Sequence, residues 1–119
     1  MEDYLEAIFV VSKKQPEVRS VDIARQLEVS KPSVWRAMTI LKNGGFLTMD
    51  GHGFLWLTDL GYKTAEKIYE RHCFFTDCLI AAGVDPKQAE KEACRMEHVI
   101  SDESFSKLKA SVNNEDKAR

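Results

Sequence analysis

Residues 21–41 constrain the fold of this chain more tightly than any other segment. They read VDIARQLEVSKPSVWRAMTIL, which is two short runs of helically spaced apolar residues on either side of a turn. Ala24 is small enough to let two helices approach closely. The positions that would fill the angle between those helices are all apolar: Leu27, Val29, Val34 and Leu41. The segment therefore predicts a helix-turn-helix, a motif whose second helix enters a DNA groove.

The flanking patterns predict a mainly α chain with one small β-hairpin. Helices are expected over residues 3–14, from residue 20 with Ser20 as N-cap, over 32–42, 59–82 and 87–100, and from residue 101 onward. Val21, Ala24 and Leu27 are the expected apolar face of the second helix. Two β-like runs, 46–49 and 54–57, flank a Gly-rich turn and predict a hairpin. We therefore expect a winged helix-turn-helix domain at 1–57 and a helical domain at 58–119.

Composition indicates a soluble globular protein. The chain is 44% hydrophobic and 30% charged, which is ordinary for a globular domain. No apolar run reaches the length of a membrane span, and the N-terminus lacks a basic start followed by an apolar stretch, so a cytoplasmic protein without a membrane partner is expected. The three cysteines are an odd number with no Cys-x-x-Cys, which argues against a disulfide framework.

Charge is distributed unevenly along the chain. Residues 13–45 carry seven basic and three acidic side chains, a net charge of +4, although the whole chain has a net charge of −2 and the remainder therefore −6. A basic module joined to an acidic one is typical of a part that faces phosphate linked to a part that binds cations. A mixed solvated surface can give the same division.

The second helix of the motif presents polar donors away from its core face. The candidate DNA-binding residues are those at its start and along its outer face, together with a histidine at the tip of the hairpin: Ser30, Lys31, Pro32, Ser33, Trp35, Arg36, Thr39 and His52. The competing interpretation is a plain helical corner with solvated polar residues. For Trp35 the alternative is a side chain partly buried in the core.

A second cluster indicates metal binding. Cys94, Glu97 and His98 occupy positions i, i+3 and i+4 of a predicted helix, so a thiol, a carboxylate and an imidazole share one face. Borderline divalent metals accept this mixed set of donors. Glu90 lies one turn earlier on the same stripe. The alternative is a free cysteine beside a surface ion pair.

Two further groups of candidate ligands lie outside this cluster. Asp3 and Glu6 are one helical turn apart near the N-terminus, and His72 lies midway along the long helix. Carboxylates in a first helical turn also suit the helix dipole without any metal.

Several segments together resemble the diphtheria-toxin-repressor family of metal-dependent repressors. The run EACRMEHVISDE at 92–103 is similar to the metal-site segment of that family, and MEDYLEAI at 1–8 is similar to the start of its manganese-transport-regulator branch. The winged motif, LTDLG at 57–61 and the pair Arg71-His72 follow in the family's order. The resemblance implies a dimeric, metal-activated repressor of the short, two-domain branch, with ligands in a helical dimerisation domain at 58–119.

By position, the resemblance implies a set of metal ligands drawn from both halves of the chain. These are Asp3, Glu6, His72, Cys94, Glu97 and His98, with Glu90 as an ancillary ligand. An ancillary carboxylate one turn after His72 would fall on Thr76, which is a poor ligand, so a full ancillary site is not expected. Cys73 and Cys78 match no motif and are expected to be packing residues.

The two branches of the family imply different metals. Asp3 and Glu6 resemble the manganese branch, whose hard carboxylates suit Mn²⁺, whereas Cys94 resembles the iron branch. A thiolate softens the site and favours Fe²⁺, so Fe²⁺ is the expected effector ahead of Mn²⁺, with Zn²⁺ or Co²⁺ able to replace it in vitro. The expected function is repression of metal-homeostasis genes through a palindromic operator in double-stranded DNA.

Apolar residues in the helical half predict a homodimer. Residues 58–108 carry more apolar positions than so short a helical unit can bury alone. Two rival functions remain open: a winged-helix regulator that answers to a small organic ligand or to oxidation, and a metallohydrolase. The chain offers no obvious nucleophile or general base for hydrolysis, so neither an enzyme nor a small-molecule substrate is expected.

Overall fold

The computed structural model describes residues 1–118 and shows a mainly helical chain with one hairpin, as the sequence predicts. Its elements are α1 Glu2–Lys14, α2 Ser20–Leu27, α3 Lys31–Asn43, β1 Leu47–Met49, β2 Leu55–Leu57, α4 Asp59–Ala81, α5 Pro86–Met96 and α6 Asp102–Ala118. The chain divides into two compact units, and the division falls within α4, between Ile68 and Tyr69. We call them the N-terminal and the C-terminal unit.

The sequence-based domain boundary follows a different criterion. The sequence predicts it between residues 57 and 58, where the hairpin gives way to a helix, and this boundary stays a prediction, as does the inclusion of Arg119, which lies outside the described residues. Among the helices that the structure describes, none is long and apolar enough to cross a membrane.

The core of the N-terminal unit lies between three helices and the hairpin. Helix α1 packs against α2, α3 and β2, and α3 packs against β1. Ile8, Phe9, Ile23, Val34 and Leu47 are among its most completely buried side chains. Burying a large aliphatic or aromatic side chain contributes about 1.5–3 kcal/mol, so these five residues supply much of what holds the motif together.

Helix α2 differs from its prediction at its start and in its buried face. Arg19, and not Ser20, is the N-cap, and its backbone N–H donates to Asp22 Oδ2 at 2.9 Å. Val21 is 39% exposed, whereas Ile23 is fully buried. Two residues that are two positions apart lie on nearly opposite sides of a helix, so only one of them can face the core, and the larger one does.

The turn between α2 and α3 is closed by local hydrogen bonds. Glu28 adopts a left-handed conformation with φ 55°, and the N–H of Val29 donates to the Ala24 carbonyl at 3.1 Å. Ser30 then caps α3, since its Oγ accepts from the Ser33 N–H at 3.3 Å. Such a terminus satisfies backbone groups that the helices leave without partners. These hydrogen bonds in the turn therefore help to fix the angle between α2 and α3.

The hairpin is short and is tied back to the body of its unit. Thr48 pairs with Trp56 in the antiparallel register, and each strand begins one residue later than predicted. The N–H of Leu55 donates to the Val18 carbonyl at 2.7 Å, which adds an isolated bridge to the loop before α2. We call this hairpin, residues 47–57, the wing.

The C-terminal unit is built around an aromatic cluster. Phe75 from α4 and Phe105 from α6 are buried together with Ala93 from α5, and Phe74 packs against them. Ring centroids of Phe74 and Phe75 are each within 6 Å of the Phe105 ring, at 5.4 and 5.9 Å, in tilted or edge-on arrangements that aromatic pairs prefer. This cluster fixes α4, α5 and α6 relative to one another.

The end of α5 is where the prediction is wrong. The helix was expected to continue to residue 100 but ends at Met96. Beyond it the N–H groups of His98 and Val99 donate to carbonyls three residues earlier, at 3.4 and 3.2 Å, so the last turn tightens and the chain leaves the helix. Residues 97–101 form a turn between α5 and α6, which we call the ligand turn.

Candidate metal centre and nucleic-acid interface

Glu97 is the most unusual side chain of the C-terminal unit. The residue is only 2% exposed, and both of its carboxylate oxygens are buried. Among the residues that the structure describes, neither oxygen accepts a hydrogen bond. Burying a carboxylate without hydrogen-bond donors destabilises the folded protein by several kcal/mol, because the group loses its solvation by water. A nearby positive charge can offset that cost.

Within the C-terminal unit, nitrogen and sulfur donors lie near the Glu97 carboxylate. His72 Nδ1, from α4, lies 3.2 Å from Oε2, and His98 Nε2 lies 3.6 Å from Oε1. A sulfur from Cys94, an oxygen from Glu97 and a nitrogen from His98 all lie within 4.8 Å of one another. Cys94 and His98 on one side and His72 of α4 on the other therefore all lie close to the Glu97 carboxylate.

The donor set fits a divalent transition metal. A thiol, a carboxylate and two imidazoles are ligand types that Fe²⁺, Zn²⁺, Co²⁺ and Mn²⁺ accept, and the thiolate suits Mn²⁺ least. A cation would also supply the positive charge that the buried Glu97 carboxylate lacks. The convergence of Cys94, Glu97 and His98 does not need the continuous helix that the sequence predicts, because Glu97 keeps helical dihedral angles as the C-cap of α5.

Arg71 is a buried residue beside this cluster whose contacts sequence reasoning did not identify. Its Nη1 donates to the carbonyls of Glu97 at 3.4 Å and of Ile100 at 2.8 Å, and its Nη2 donates to the Asp102 carboxylate. The guanidinium carbon also lies 5.3 Å from the centre of the Phe105 ring. The only signal in the sequence was the pair Arg71-His72, which carried the resemblance but gave no partner for the arginine.

The expected ligands near the N-terminus lie on α1. Asp3 is exposed in the first turn of that helix, and Glu6 is partly buried one turn later. Both residues belong to the N-terminal unit. Their part in metal binding stays a prediction from the resemblance.

The residues expected around an ancillary metal ion do not make up a full set of ligands. Glu90 is exposed on α5. Thr76, where the resemblance would place a carboxylate, uses its hydroxyl to donate to the His72 carbonyl at 2.7 Å. That bond ties the Thr76 side chain to the helix backbone, so a second complete site is not expected here.

The other two cysteines show no sign of a ligand role. Cys73 is partly buried on α4 and Cys78 is exposed further along it. Desolvation, and then the nearby Asp77 carboxylate, raise the pKa of the Cys78 thiol. A raised pKa keeps the thiol protonated, and a protonated thiol is neither a good ligand nor a good nucleophile.

Helix α3 carries most of the candidate DNA-binding residues, and we call it the reading helix. Trp35 is 66% exposed, so the alternative of a partly buried core residue is wrong for this side chain. Lys31, Pro32 and Arg36 are exposed as well. The start and outer face of the reading helix therefore present two cations and an indole to solvent.

Three of the polar candidates on the reading helix are engaged within it. The hydroxyls of Ser30 and Ser33 lie 2.8 Å apart and share a hydrogen bond at the N-cap. The Thr39 hydroxyl donates to the Trp35 carbonyl at 3.0 Å. These hydroxyls have geometric roles in the helix, and each retains acceptor capacity for a further contact.

The tip of the wing is organised by Asp50, which sequence reasoning passed over. Its carboxylate accepts the backbone N–H groups of His52 and Phe54, at 2.9 and 3.0 Å, and the indole N–H of Trp56 at 2.9 Å. The hydrogen bond from the Trp56 indole is the largest of the effects that hold the pKa of Asp50 below its usual value. His52 is thereby fixed in an exposed position at the tip. An Asp before a Gly-rich turn is the signal that could have identified this role.

Two family models match the chain, one in each half. Residues 1–53 match the N-terminal DNA binding domain of the iron dependent repressors, and residues 58–118 match their metal binding and dimerisation domain. Together the two matches leave only the end of the wing and the last residue uncovered.

Known proteins resemble the chain over most of its length. It is 34% identical over 105 residues to the transcriptional regulator MntR of Escherichia coli O6:H1, which is 88% of this chain and 68% of that protein. Its fold matches the metal-dependent transcriptional regulator MtsR with a TM-score of 0.86 and the manganese regulator SloR with 0.84, each at 26% identity. Each of these two matches covers 94% of this chain but only 53% of the solved one, so the chain spans about half their length.

Proposed function

Because this chain belongs to the iron-dependent repressor family, a family of metal-dependent transcriptional regulators and not of enzymes, we propose that it represses transcription when it carries a divalent metal ion. The metal-loaded protein binds a palindromic operator in double-stranded DNA as a homodimer. The N-terminal domain, 1–57, reads the DNA, and the helical domain, 58–119, binds the metal and dimerises. The observation that carries the proposal is the buried Glu97 carboxylate, approached by two imidazoles and a thiol.

The ligands of the C-terminal unit have separable roles. Glu97 supplies the buried negative charge, His72 and His98 supply neutral nitrogen donors, and Cys94 supplies a thiolate once the metal displaces its proton. The fixed helix α4 holds His72, while Cys94 precedes the ligand turn and Glu97 and His98 begin it. Binding therefore depends on how well the ligand turn keeps its place against α4.

Asp3 and Glu6 are proposed as further ligands on the basis of sequence resemblance, with Glu90 as an ancillary one. A metal that takes ligands from α1 as well as from the C-terminal unit raises DNA affinity only to the extent that it binds the DNA-competent arrangement better than others. By the same linkage, operator DNA must tighten metal binding by the same factor.

Fe²⁺ is the proposed effector, with Mn²⁺ close behind it. The thiolate of Cys94 favours a softer ion than an all-oxygen and nitrogen site would, whereas the carboxylates favour the harder Mn²⁺. Zn²⁺ and Co²⁺ are expected to bind in vitro for the same reason. The named manganese regulator among the similar structures supports Mn²⁺ as the second choice.

Cys94→Glu is expected to move metal selectivity towards Mn²⁺. Replacing the thiolate by a carboxylate removes the one soft donor and leaves the rest of the site in place, so the ratio of Fe²⁺ to Mn²⁺ affinity should fall by about tenfold, or roughly 1.4 kcal/mol. Competitive metal titration under anaerobic conditions measures that ratio. Cys73→Ser is the matched control, because it removes a thiol outside the cluster. An unchanged ratio in Cys94→Glu contradicts a ligand role for Cys94.

The proposed DNA contacts lie on the reading helix and at the wing tip. Arg36 and Trp35 are placed for base edges in the major groove, and Lys31 at the start of the helix is placed for phosphate. Ser30, Pro32, Ser33 and Thr39 shape the same surface, and His52 meets the backbone from the wing. The two reading helices of a dimer would occupy half-sites about 34 Å apart.

Arg36→Ala and Lys31→Ala are expected to weaken DNA binding in different ways. Loss of a base contact at Arg36 should cost about 1–3 kcal/mol on the operator and relax its specificity. Loss of a phosphate contact at Lys31 should weaken operator and random DNA alike and lower the slope of log affinity against log salt by about one. Fluorescence anisotropy over a salt series measures both. If both variants bind as tightly as the parent, the reading helix is misassigned.

The proposed homodimer is supported by apolar side chains that the C-terminal unit leaves in solvent. Val99 is 85% exposed, and Ile80 and Leu108 are each 41% exposed. Large exposed apolar side chains in so small a unit are typical of an interaction surface. Two copies of one surface meeting around a twofold axis is the commonest arrangement of such oligomers.

A metal-titrated DNA-binding experiment tests the function as a whole. Operator selected from random double-stranded DNA is titrated with protein in the presence of Fe²⁺, Mn²⁺ or Zn²⁺, and then in excess chelator, with light scattering recorded in each condition. Binding that rises with metal and disappears with chelator supports the proposal. Binding that ignores chelator indicates a regulator controlled by an organic ligand or by oxidation. A monomer in every condition contradicts the dimer.

A further inference from the structure

Arg71 is a buried cation whose position needs an explanation. The residue is 8% exposed and lies on α4, directly before His72. Arginine is rarely buried unless its donors are used, because removing its charge from water is costly. An ion pair alone does not account for this burial, since the Asp102 side chain is 69% exposed and water screens the pair.

The two terminal nitrogens of Arg71 donate to the ligand turn and to the start of α6, whereas its buried Nε donates to no residue that the structure describes. Its Nη1 bridges the carbonyls of Glu97 and Ile100, at 3.4 and 2.8 Å, and its Nη2 reaches Asp102 at the start of α6. The carbonyls in the last turn of a helix have no partner within that helix. The guanidinium therefore spans the ligand turn from its first residue to the first residue beyond it.

Other contacts fix the guanidinium itself. It lies beside the Phe105 ring, at 5.3 Å from its centre, and Phe105 is part of the buried aromatic cluster. An arginine side chain has a planar, forked group of donors that can hold two acceptors in a set geometry, which a single ammonium cannot do. Arg71 thereby fixes the position of the ligand turn relative to α4, the helix that also carries His72.

We propose that Arg71 is a positioning residue for the metal centre: it fixes the backbone of residues 97–100 so that the Glu97 carboxylate lies beside both His72 and His98 before any metal binds. The inference rests on the proposed function, since it assumes that these side chains are the ligands. Arg71 itself makes no contact with the metal. It acts through preorganisation, which raises affinity by removing the cost of ordering the ligands at the moment of binding.

Arg71→Met tests this role, because methionine keeps an unbranched apolar stem and removes every donor. Its affinity for Mn²⁺ and Zn²⁺, measured by isothermal titration calorimetry, should fall by about 10–100-fold, the range found when residues that orient metal ligands are changed. In the metal-free protein, hydrogen exchange at the amides of 97–100 should speed up by at least about tenfold, because local opening of the turn becomes easier. Arg71→Lys should recover part of the affinity.

The matched control is Lys109→Met. Lys109 also joins α4 to α6 through an ion pair, with Glu70, and none of the hydrogen bonds or ion pairs described for its side chain reaches the ligand turn. The Lys109→Met variant should leave metal affinity and amide hydrogen exchange at 97–100 unchanged, even if the substitution lowers the melting temperature. A general loss of stability would affect both variants, whereas a positioning role affects only the Arg71 variants.

The possible outcomes separate this inference from the function on which it rests. If the parent protein binds none of Fe²⁺, Mn²⁺ and Zn²⁺, the proposed function fails and this inference fails with it. If the parent binds metal and Arg71→Met binds it equally well, only the positioning role is overturned. If Arg71→Met does not fold, Arg71→Lys is compared with Lys109→Met: a lower metal affinity supports the role, and equal affinity overturns it.

Discussion

Glu97→Gln should abolish the response to metal while leaving the metal-free protein at least as stable as its parent. Glutamine has almost the same shape but lacks the charge, so affinity for a divalent ion should fall by more than about 100-fold, a loss larger than that expected for residues that only orient ligands. The metal-free fold should not suffer, because the buried carboxylate oxygens accept no hydrogen bond among the described residues. Glutamine also avoids the desolvation cost of a buried negative charge.

The substitution is expected to lower metal affinity without lowering the stability of the metal-free protein, so a lost ligand can be distinguished from a damaged fold. Metal affinity is measured by calorimetry, metal-dependent operator binding by anisotropy, and stability of the metal-free protein by urea denaturation. Glu103→Gln is the matched control, since it makes the same change at an exposed carboxylate that pairs with Lys107 on the surface. His98→Ala should lower metal affinity at least as much as Cys94→Ala does. A Glu97→Gln protein that still responds to metal would show that this cluster is not the sensor.

Gly61→Ala should destabilise the N-terminal unit by about 3 kcal/mol, the upper end of the usual cost of overpacking. Gly61 lies in the first turn of α4, where a Cβ would be 1.8 Å from the Phe46 carbonyl oxygen and 2.9 Å from its carbon. Both are backbone atoms and cannot rotate away. The same carbonyl accepts the Thr58 N–H at 3.1 Å, so moving it also breaks the start of the helix.

Gly51→Ala is the control for this substitution. A Cβ at Gly51, in the turn of the wing, meets no atom within 4 Å, and its stability should change by less than about 0.5 kcal/mol. Chemical denaturation followed by circular dichroism compares the two variants. Equal stability of Gly61→Ala and its parent would mean that α4 does not start against Phe46 as described.

The helix-turn-helix could be predicted because its determinants are local. Ala24, Val34 and Leu41 are spaced by the helical repeat within one segment, and the Gly-rich turn of the wing is recognisable from four residues. The structure buries Val34 and Leu41 as expected. The error at Val21 arose because an eight-residue helix with apolar residues on two sides does not reveal which side faces the core.

The end of α5 could not be predicted from the local pattern. Residues 97–100 continue the apolar and polar spacing of the helix, and no Gly or Pro marks its end. The turn is stabilised instead by Arg71, which is 26 residues from Glu97 and 31 from Asp102 along the chain. Contacts over such separations depend on how helices pack, which the spacing of residues does not specify.

The candidate ligands were found from residue type and spacing, and the ligand set as a whole stays a prediction. Cys94, Glu97 and His98 could be grouped because they are neighbours in sequence. His72 could be joined to them only through the resemblance, and the structure places it 3.2 Å from the Glu97 carboxylate. The burial of Glu97 could not be foreseen, because glutamate is among the residues least often buried.

The position of the two tryptophans gives the protein an optical probe of one half only. Trp35 and Trp56 are the only tryptophans in the chain, and they lie on the reading helix and the wing, 66% and 44% exposed. Indole emission therefore originates wholly in the N-terminal unit, from side chains that are largely exposed to water. In Trp56→Phe, all remaining indole emission would come from Trp35 on the reading helix. Quenching or a blue shift on adding DNA would then follow docking of that helix in real time, without any attached dye.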